Sequence, residues 1–267
     1  MIKLFVSDLD GTLLHQEKYV ETHNIEALVK LQESNIDVCL ASGRMDSEIL
    51  KISSDIQNNF HRISQNGAFV WTRDNHSLHA KVFESELASS LYKQTLNPNH
   101  VVLVCSNDTN YVETKTDVIN EIEKHMFFPI EEQENMLDSF GLNLSPSKIT
   151  ILGDHSELVA LQADLTHQFK EQIDAYISAK DCLDIMPKHI SKGNAIQILL
   201  DHLGLQPEEV ACVGDSFNDI PMFHLTPNSF AMATAPEEVK KHASAVVSSV
   251  SEAAEIVLAR NNSIPTK

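Results

Sequence analysis

Short apolar runs alternate with amphipathic stretches along the chain, and their order predicts the architecture. Residues 2 to 6, Ile-Lys-Leu-Phe-Val, form a brief apolar run that stops at a polar, glycine-containing turn, as a buried parallel strand does at its carboxyl end. From 21 to 34, Ile25, Leu28, Val29 and Leu31 approximate one face of a helix. A strand is predicted at 36 to 40, a helix at about 46 to 57 and a strand near 62 to 64. Strand and helix in alternation mark a parallel sheet covered on both faces. Two runs at 69 to 72 and 79 to 83, parted by the polar Arg73-Asp74-Asn75-His76, read as a hairpin that closes this block.

The pattern then changes. Between about 85 and 183 the helices are expected near 85 to 96, 117 to 126 and 155 to 169, with strands at 101 to 105, 148 to 152 and 174 to 178. After Pro187 the first style returns, with a helix from 192 to 203, a strand at Val210 to Val213 and the turn Gly214-Asp215. The fold class is therefore α/β: a Rossmann-like parallel-sheet core, residues 1 to 83 and 185 to 267, interrupted by an inserted α/β domain over 84 to 184. Only Asn261 to Lys267 reads as a frayed end.

Composition narrows the function without touching the fold. A net charge of -18 argues against nucleic acid and against an anionic membrane surface, so an anionic ligand must be held by local positive groups. The opening Met-Ile-Lys-Leu-Phe-Val-Ser lacks the apolar segment of a signal peptide, and no apolar run approaches the roughly 20 residues of a membrane span. A cytoplasmic enzyme is the expectation. Cys39, Cys105, Cys182 and Cys212 are scattered without a CxxC spacing, which suits reduced, buried thiols.

Four polar clusters carry candidate chemistry. Asp8-Leu9-Asp10-Gly11-Thr12 follows the first strand, on the side where open parallel sheets bind ligands, and alternate residues project together. Asp8 and Asp10 can thus bring two carboxylates to one site, although an Asx-rich surface turn also fits the pentapeptide. Ala41-Ser42-Gly43-Arg44 ends the second strand and could cradle phosphate, or could be a plain turn with Ser42 as a cap. Lys192-Gly193 opens a helix, where the helix dipole favours acidic residues, so this lysine suits a bound anion as well as solvent. Gly214-Asp215-Ser216-Phe217-Asn218-Asp219 supplies two more carboxylates and an amide, the oxygen donors that a hard cation such as Mg²⁺ takes. All four clusters fall at strand ends or a helix start, and neighbouring strands would bring them to one edge.

In order and spacing, DLDGT, ASGR, SKG and GDSFNDIPM resemble the four motifs of the haloacid dehalogenase-like (HAD) superfamily, closest to its Cof-type sugar phosphatase branch. Asn66-Gly67-Ala68 and the tail Ala235-Pro236-Glu237-Glu238-Val239 extend the match. The resemblance implies a HAD core whose cap domain is inserted between the second and third motifs. It implies Asp8 as nucleophile and Asp10 as acid and base. It also implies Mg²⁺ held by Asp8, the main-chain carbonyl of Asp10 and Asp215, with Asp219 beside the ion. Ser42, Gly43, Lys192, Asn218 and the N–H of Leu9 would grip the phosphoryl oxygens. The chain departs from the pattern twice: Ser42 stands where Thr is common, which keeps the hydroxyl, and Ala233-Thr234 replaces a more usual Gly-Asn pair in a supporting loop.

The implied reaction is in-line attack by Asp8 on a small phosphorylated metabolite, an aspartyl-phosphate, and hydrolysis by water, with Asp10 in an environment that favours its protonated form. Transfer of the phosphoryl group to another sugar hydroxyl, as a phosphomutase does, is the alternative within the same apparatus. A phosphate sensor on a dead catalytic fold would show damaged motifs, and all four acidic positions are intact. His15 is expected to be solvated or packed, His189 to lie in a loop, and Trp71 to pack alongside Phe69. Lys115 and Lys148 suit either a sugar phosphate or solvent.

Overall fold

The computed structural model of the chain describes residues 1–14, 19–106, 108–124 and 126–263. His15 and residues 264–267 lie outside the described residues. The chain forms two compact units, one made of Met1–Ala80 with Ser191–Lys267 and the other of Lys81–Ile190. The second unit begins just after a core strand and adds residues 81 to 83 and 185 to 190, so it is longer than the 84 to 184 segment that sequence patterning delimits.

The first unit opens with strands β1 (Leu4–Ser7), β2 (Asp37–Ala41), β3 (His61–Ser64), β4 (Phe69–Trp71) and β5 (Ser77–Ala80), separated by helices α1 (Thr22–Glu33) and α2 (Asp46–Ile56). The inserted unit carries β6 (Val101–Ser106), β7 (Thr109–Val112), β8 (Glu131–Glu132), β9 (Pro146–Leu152), β10 (Ile173–Ala179) and β11 (Cys182–Pro187), with α3 (Ser85–Thr95), α4 (Asp117–Glu123), α5 (Met136–Ser139) and α6 (His155–Gln168). The first unit then resumes with α7 (Lys192–Leu203), β12 (Val210–Gly214), α8 (Ile220–Leu225), β13 (Ser229–Met232), α9 (Glu237–Lys240), β14 (Ala245–Val247) and α10 (Val250–Asn262).

The core sheet runs in the order β14-β13-β12-β1-β2-β3-β4-β5, parallel as far as β3, with the β4–β5 hairpin continuing it antiparallel. All four residues of β1 are buried, as befits a central strand with helices on both faces. On one face Leu4, Val6, Cys39, Ile63 and Cys212 pack against Ala195, Ile196, Leu199 and Leu200, the helical stripe of α7. Ser191 caps α7 through its side chain, and Gly204 ends it in a left-handed conformation. The chain leaves β1 toward β2 on one side and returns beside it as β12 on the other. Their carboxyl ends therefore open the crevice at which a doubly wound sheet binds ligands.

The side chains of β4 divide by face, and one expectation at the carboxyl end is corrected. In β4 it is Val70 that is fully buried in the core, while Phe69 and Trp71 are half-buried, because alternation sends them together to the opposite face. Residues 261 to 263 are not frayed: α10 continues to Asn262, and Asn261 accepts from the Ile2 N–H and donates to the Ile2 carbonyl.

In the inserted unit the sheet order is β10-β11-β9-β6-β7-β8, antiparallel except for β7 with β8. Val104, Ile149, Ile151, Leu183 and Ile185 pack one face against Leu91 and Tyr92 of α3 and Leu158 and Leu165 of α6. Strands β7, β8 and β11 are absent from the apolar pattern, since the first two are short and polar and β11 runs on into the boundary. On the strands themselves, Thr150 donates to Asp184 at 2.6 Å and Lys148 lies 3.6 Å from the same carboxylate. Lys115 pairs with Glu123.

Asp46 at the start of α2 takes two hydrogen bonds from Arg62 of β3, whose side chain is 4% exposed. Asp46→Ala leaves that guanidinium buried and unpaired, so we expect a loss of about 3 kcal/mol in urea unfolding. Arg62→Met combined with Asp46→Leu removes both charges and should recover much of the loss.

Candidate active site

The end of β1 places Asp8, which is 5% exposed and whose N–H bonds to the Val213 carbonyl of the neighbouring β12. One turn beyond β12 comes Asp219, fully buried, whose Oδ2 accepts from the N–H groups of Asp215 and Ser216 at 2.9 Å each. Gly214 permits this turn: a Cβ there would meet the Asp219 carboxylate at 2.5 Å. The Lys192 side chain is buried too. Its ammonium donates to Asp8 Oδ1 at 2.5 Å and to Asp219 Oδ1 at 2.6 Å. Asp215 completes the group, accepting from the Thr12 hydroxyl at 2.8 Å.

Gly11 is needed beside it. It has φ +82, and a Cβ would fall 2.5 Å from Asp215 Oδ2.

Electrostatics follow from this crowding. Burial, reinforced by the charge of Asp219, pushes the Asp8 carboxyl well above its ordinary value, with Lys192 working in the opposite direction. Burial and then Asp219 likewise raise Asp215, opposed by hydrogen bonds from Thr12 and Asp8. For Lys192, burial acts downward, but the charges and bonds of Asp219 and Asp8 outweigh it and hold the ammonium above its usual range. Counted as fully ionised, the three carboxylates exceed the one ammonium by two charges, the charge of one divalent cation.

Oxygens of Asp8, Asp215 and Asp219 lie within 4.8 Å of one another, a donor set that fits a hard cation. Both Asp219 oxygens are already engaged by Lys192 and by main-chain N–H groups. Asp8 and Asp215 are thus the side chains free to turn toward an ion.

The remaining candidates form a rim. Asp10 is 54% exposed at its side chain, and Arg44 grips it with two hydrogen bonds, Nε to Oδ2 at 2.8 Å and Nη2 to Oδ1 at 2.7 Å. Both Asp10 oxygens are thus engaged by one two-pronged guanidinium. Ser42 is buried, its hydroxyl accepting from the Arg44 N–H and its carbonyl from the Asn66 N–H. Asn218 donates to Asn66 Oδ1 at 3.0 Å, and its own Oδ1 is buried without a partner among the described residues. A Cβ on Gly43 would press on the same Asn66 side chain. The Leu9 carbonyl collects the N–H groups of Thr12, Leu13 and Leu14, which curls the loop after Asp8. Ala233 and Thr234 are exposed, with the Ala233 N–H on the Val247 carbonyl.

Sequence reasoning assigned no role to Thr12, Arg44, Glu48 or Asn66. Arg44 and Asn66 stand inside the quoted motifs. The signal that could have found Asn66 is the run Gln65-Asn66-Gly67, all three at positive φ, a turn that favours Asn and Gly. His189 also has positive φ, and its N–H bonds Asp174 within the inserted unit.

Lys192→Met removes the only ammonium bonded to Asp8 and Asp219 among the described residues. A carboxyl raised above its ordinary 3.8 binds its proton more tightly in the native state, so its favourable contribution is lost as pH rises through the native value. The variant should therefore be less stable than the parent in chelator-containing buffer. We expect that deficit to grow as pH rises above the ordinary carboxyl range in thermal melts, and a pH-independent deficit would contradict the account.

The family model for haloacid dehalogenase-like hydrolases matches residues 5–256. An HMP-PP phosphatase of Citrobacter koseri is 27% identical over 235 residues, which cover 88% of this chain and 85% of that protein. Its counterpart in Escherichia coli O157:H7 is 26% identical over 241 residues, 90% and 87% of the two chains. Among solved structures, a haloacid dehalogenase-like hydrolase from Bacteroides thetaiotaomicron superposes with a TM-score of 0.83 at 26% identity, covering 96% of this chain and 100% of that one. A Bacillus subtilis structure of the same description has a TM-score of 0.87 at 22% identity, covering 97% and 99%, a likeness of fold. The chain is an enzyme that belongs to the haloacid dehalogenase-like hydrolases, in their Cof-type branch.

Proposed function

We propose that this hydrolase is a Mg²⁺-dependent phosphatase of small phosphorylated metabolites, sugar phosphates first among them, and that it works through an aspartyl-phosphate on Asp8. The observation that carries the reading is the buried group of Asp8, Lys192, Asp215 and Asp219 at the carboxyl ends of adjacent parallel strands. Asp8 and Asp215, with the main-chain carbonyl of Asp10, would hold the cation. When bound, it supplies the positive charge that lets a carboxylate and a phosphate ester approach each other.

An Asp8 oxygen attacks phosphorus as the P–O bond to the leaving group breaks, and the proton of Asp10 passes to the departing alkoxide. Water then attacks the same phosphorus, the P–O bond to Asp8 breaks, and Asp10 recovers a proton from that water. Lys192, held on the other side by Asp219, keeps the Asp8 carboxylate oriented through both steps. Ser42, Gly43, Asn218 and the Leu9 N–H are assigned to the phosphoryl oxygens. The Asn218 amide nitrogen gives one hydrogen to Asn66 at 3.0 Å and carries a second that can serve such an oxygen.

We assign choice of the leaving group to the inserted unit, as its cap. There Lys148, Thr150 and Asp184 join two strands by polar contacts suited to sugar hydroxyls.

Asp8→Asn should abolish turnover by at least ~10³-fold in kcat with the fold retained, and a chelator should silence the parent until Mg²⁺ is restored. Full turnover in metal-free buffer would overturn the reading. A panel of phosphorylated sugars, nucleotides and cofactors, with HMP-PP included because the two relatives bear its name, identifies the preferred substrate. Lys148→Ala should reorder that panel while leaving a small aryl phosphate within about threefold of the parent.

A further inference from the structure

The reaction scheme above gives no task to Arg44 of the second motif, yet its guanidinium is among the most fully engaged groups at the site. Two of its nitrogens hold the two oxygens of Asp10, and a third, Nη1, donates to Glu48 Oε1 at 2.8 Å. Glu48 is 4% exposed, and its second oxygen accepts from the Met45 N–H at the start of α2. The main chain of Arg44 is also fixed, its N–H on the Ser42 hydroxyl and its carbonyl receiving the Gln65 N–H. The guanidinium is thus built into the body of the protein at one end and presents its fork at the other. Asp10, by contrast, is over half exposed, and among the described residues its side chain is held by Arg44.

A carboxylate offers about four lone-pair directions, and a two-pronged guanidinium takes one on each oxygen. The other two directions are left pointing away from Arg44, in a fixed plane. That is the requirement on a group that must meet a leaving-group oxygen and then a water in the same place.

We propose that Arg44 is the positioning residue for Asp10, and that Glu48 acts behind it by locking the guanidinium plane. The proposal deepens the phosphatase reading and rests on the role given there to Asp10. The interaction is geometric: a lysine would supply the charge as a point, without the fork that sets the carboxylate plane.

The test compares kcat/KM for a hexose phosphate and for an aryl phosphate, whose leaving group barely needs a proton, in Asp10→Asn, Arg44→Ala, Arg44→Lys and the double variant Asp10→Asn with Arg44→Ala. Each is checked for fold by circular dichroism. Arg44→Ala should lose on the order of 10- to 100-fold on the hexose phosphate through kcat, with KM nearly unchanged, and only a few-fold on the aryl ester. The double variant should be no worse than Asp10→Asn alone. Arg44→Lys should not restore the loss, whereas guanidinium ion added at non-denaturing concentration should partly restore Arg44→Ala and leave Asp10→Asn unaffected. Glu48→Gln should show the same selectivity in weaker form.

If Asp10→Asn discriminates between the esters while Arg44→Ala and Arg44→Lys lower both equally and add to it in full, Arg44 is structural and the proposal is wrong. If Asp10→Asn itself lowers both esters equally, the fault lies in the role given to Asp10. Should Arg44→Ala fail to fold, the Arg44→Lys and Glu48→Gln ratios decide in its place.

Discussion

The contact on which the rest of the first unit depends is the buried ammonium of Lys192 between Asp8 and Asp219. Taking such charges out of water costs several kcal/mol per ion, and the cost is met only where geometry is good and the remaining hydrogen bonds are made. Here the requirement ties three separate pieces of chain together: the end of β1, the first residue of α7 and the turn beyond β12. The main-chain N–H groups of Asp215 and Ser216 complete Asp219, and the Val213 carbonyl fixes the backbone at Asp8. The sheet, α7 and the third acidic position are therefore parts of one electrostatic solution. That solution, counted as ionised, remains short of positive charge, and the proposed phosphatase reaction would draw on that shortfall.

Around this rigid centre the rim is organised differently. Lys192 and Asp219 are sealed from solvent, whereas Asp10 is open to it and is held by a guanidinium reaching from the next motif. The two aspartates of the first motif are two residues apart, yet one sits in a dry, crowded site and the other at an accessible edge. The two settings match the roles proposed for these residues, attack on phosphorus for Asp8 and proton transfer for Asp10. The difference comes from the curl of the loop onto the Leu9 carbonyl and the left-handed turn at Gly11.

Much of this was legible in the sequence because the informative residues sit where backbone topology alone places them. A polar residue immediately after an apolar run of β1 or β12 must lie at a strand end, so Asp8 and Asp215 could be assigned to one edge without coordinates. Lys192 was legible because it opens a helix against the dipole. The partners were not. Whether a lysine side chain turns to phosphate or to carboxylates depends on packing around its four methylenes, which no local pattern encodes. Arg44 was quoted and passed over for the same reason, since its reach to both Asp10 and Glu48 joins elements distant in sequence. The hairpin shows a simpler limit: large aromatics at 69 and 71 drew attention from the small Val70 between them, which the core takes.

The division of the chain into two units bears on how the molecule is made. The inserted unit is one continuous stretch, Lys81–Ile190, and its contacts close within itself. The first unit is split, and Asp8 lies 184 residues from the ammonium that compensates it. During synthesis the inserted unit can complete its core while β1 still lacks one of its two neighbours and Asp8 its counter-charge. A nascent chain halted just before residue 191 would carry one finished domain and one strand-edged half-sheet. That half-sheet exposes the unpaired flank of β1, a surface on which a chaperone or another copy of the chain can act until β12 arrives.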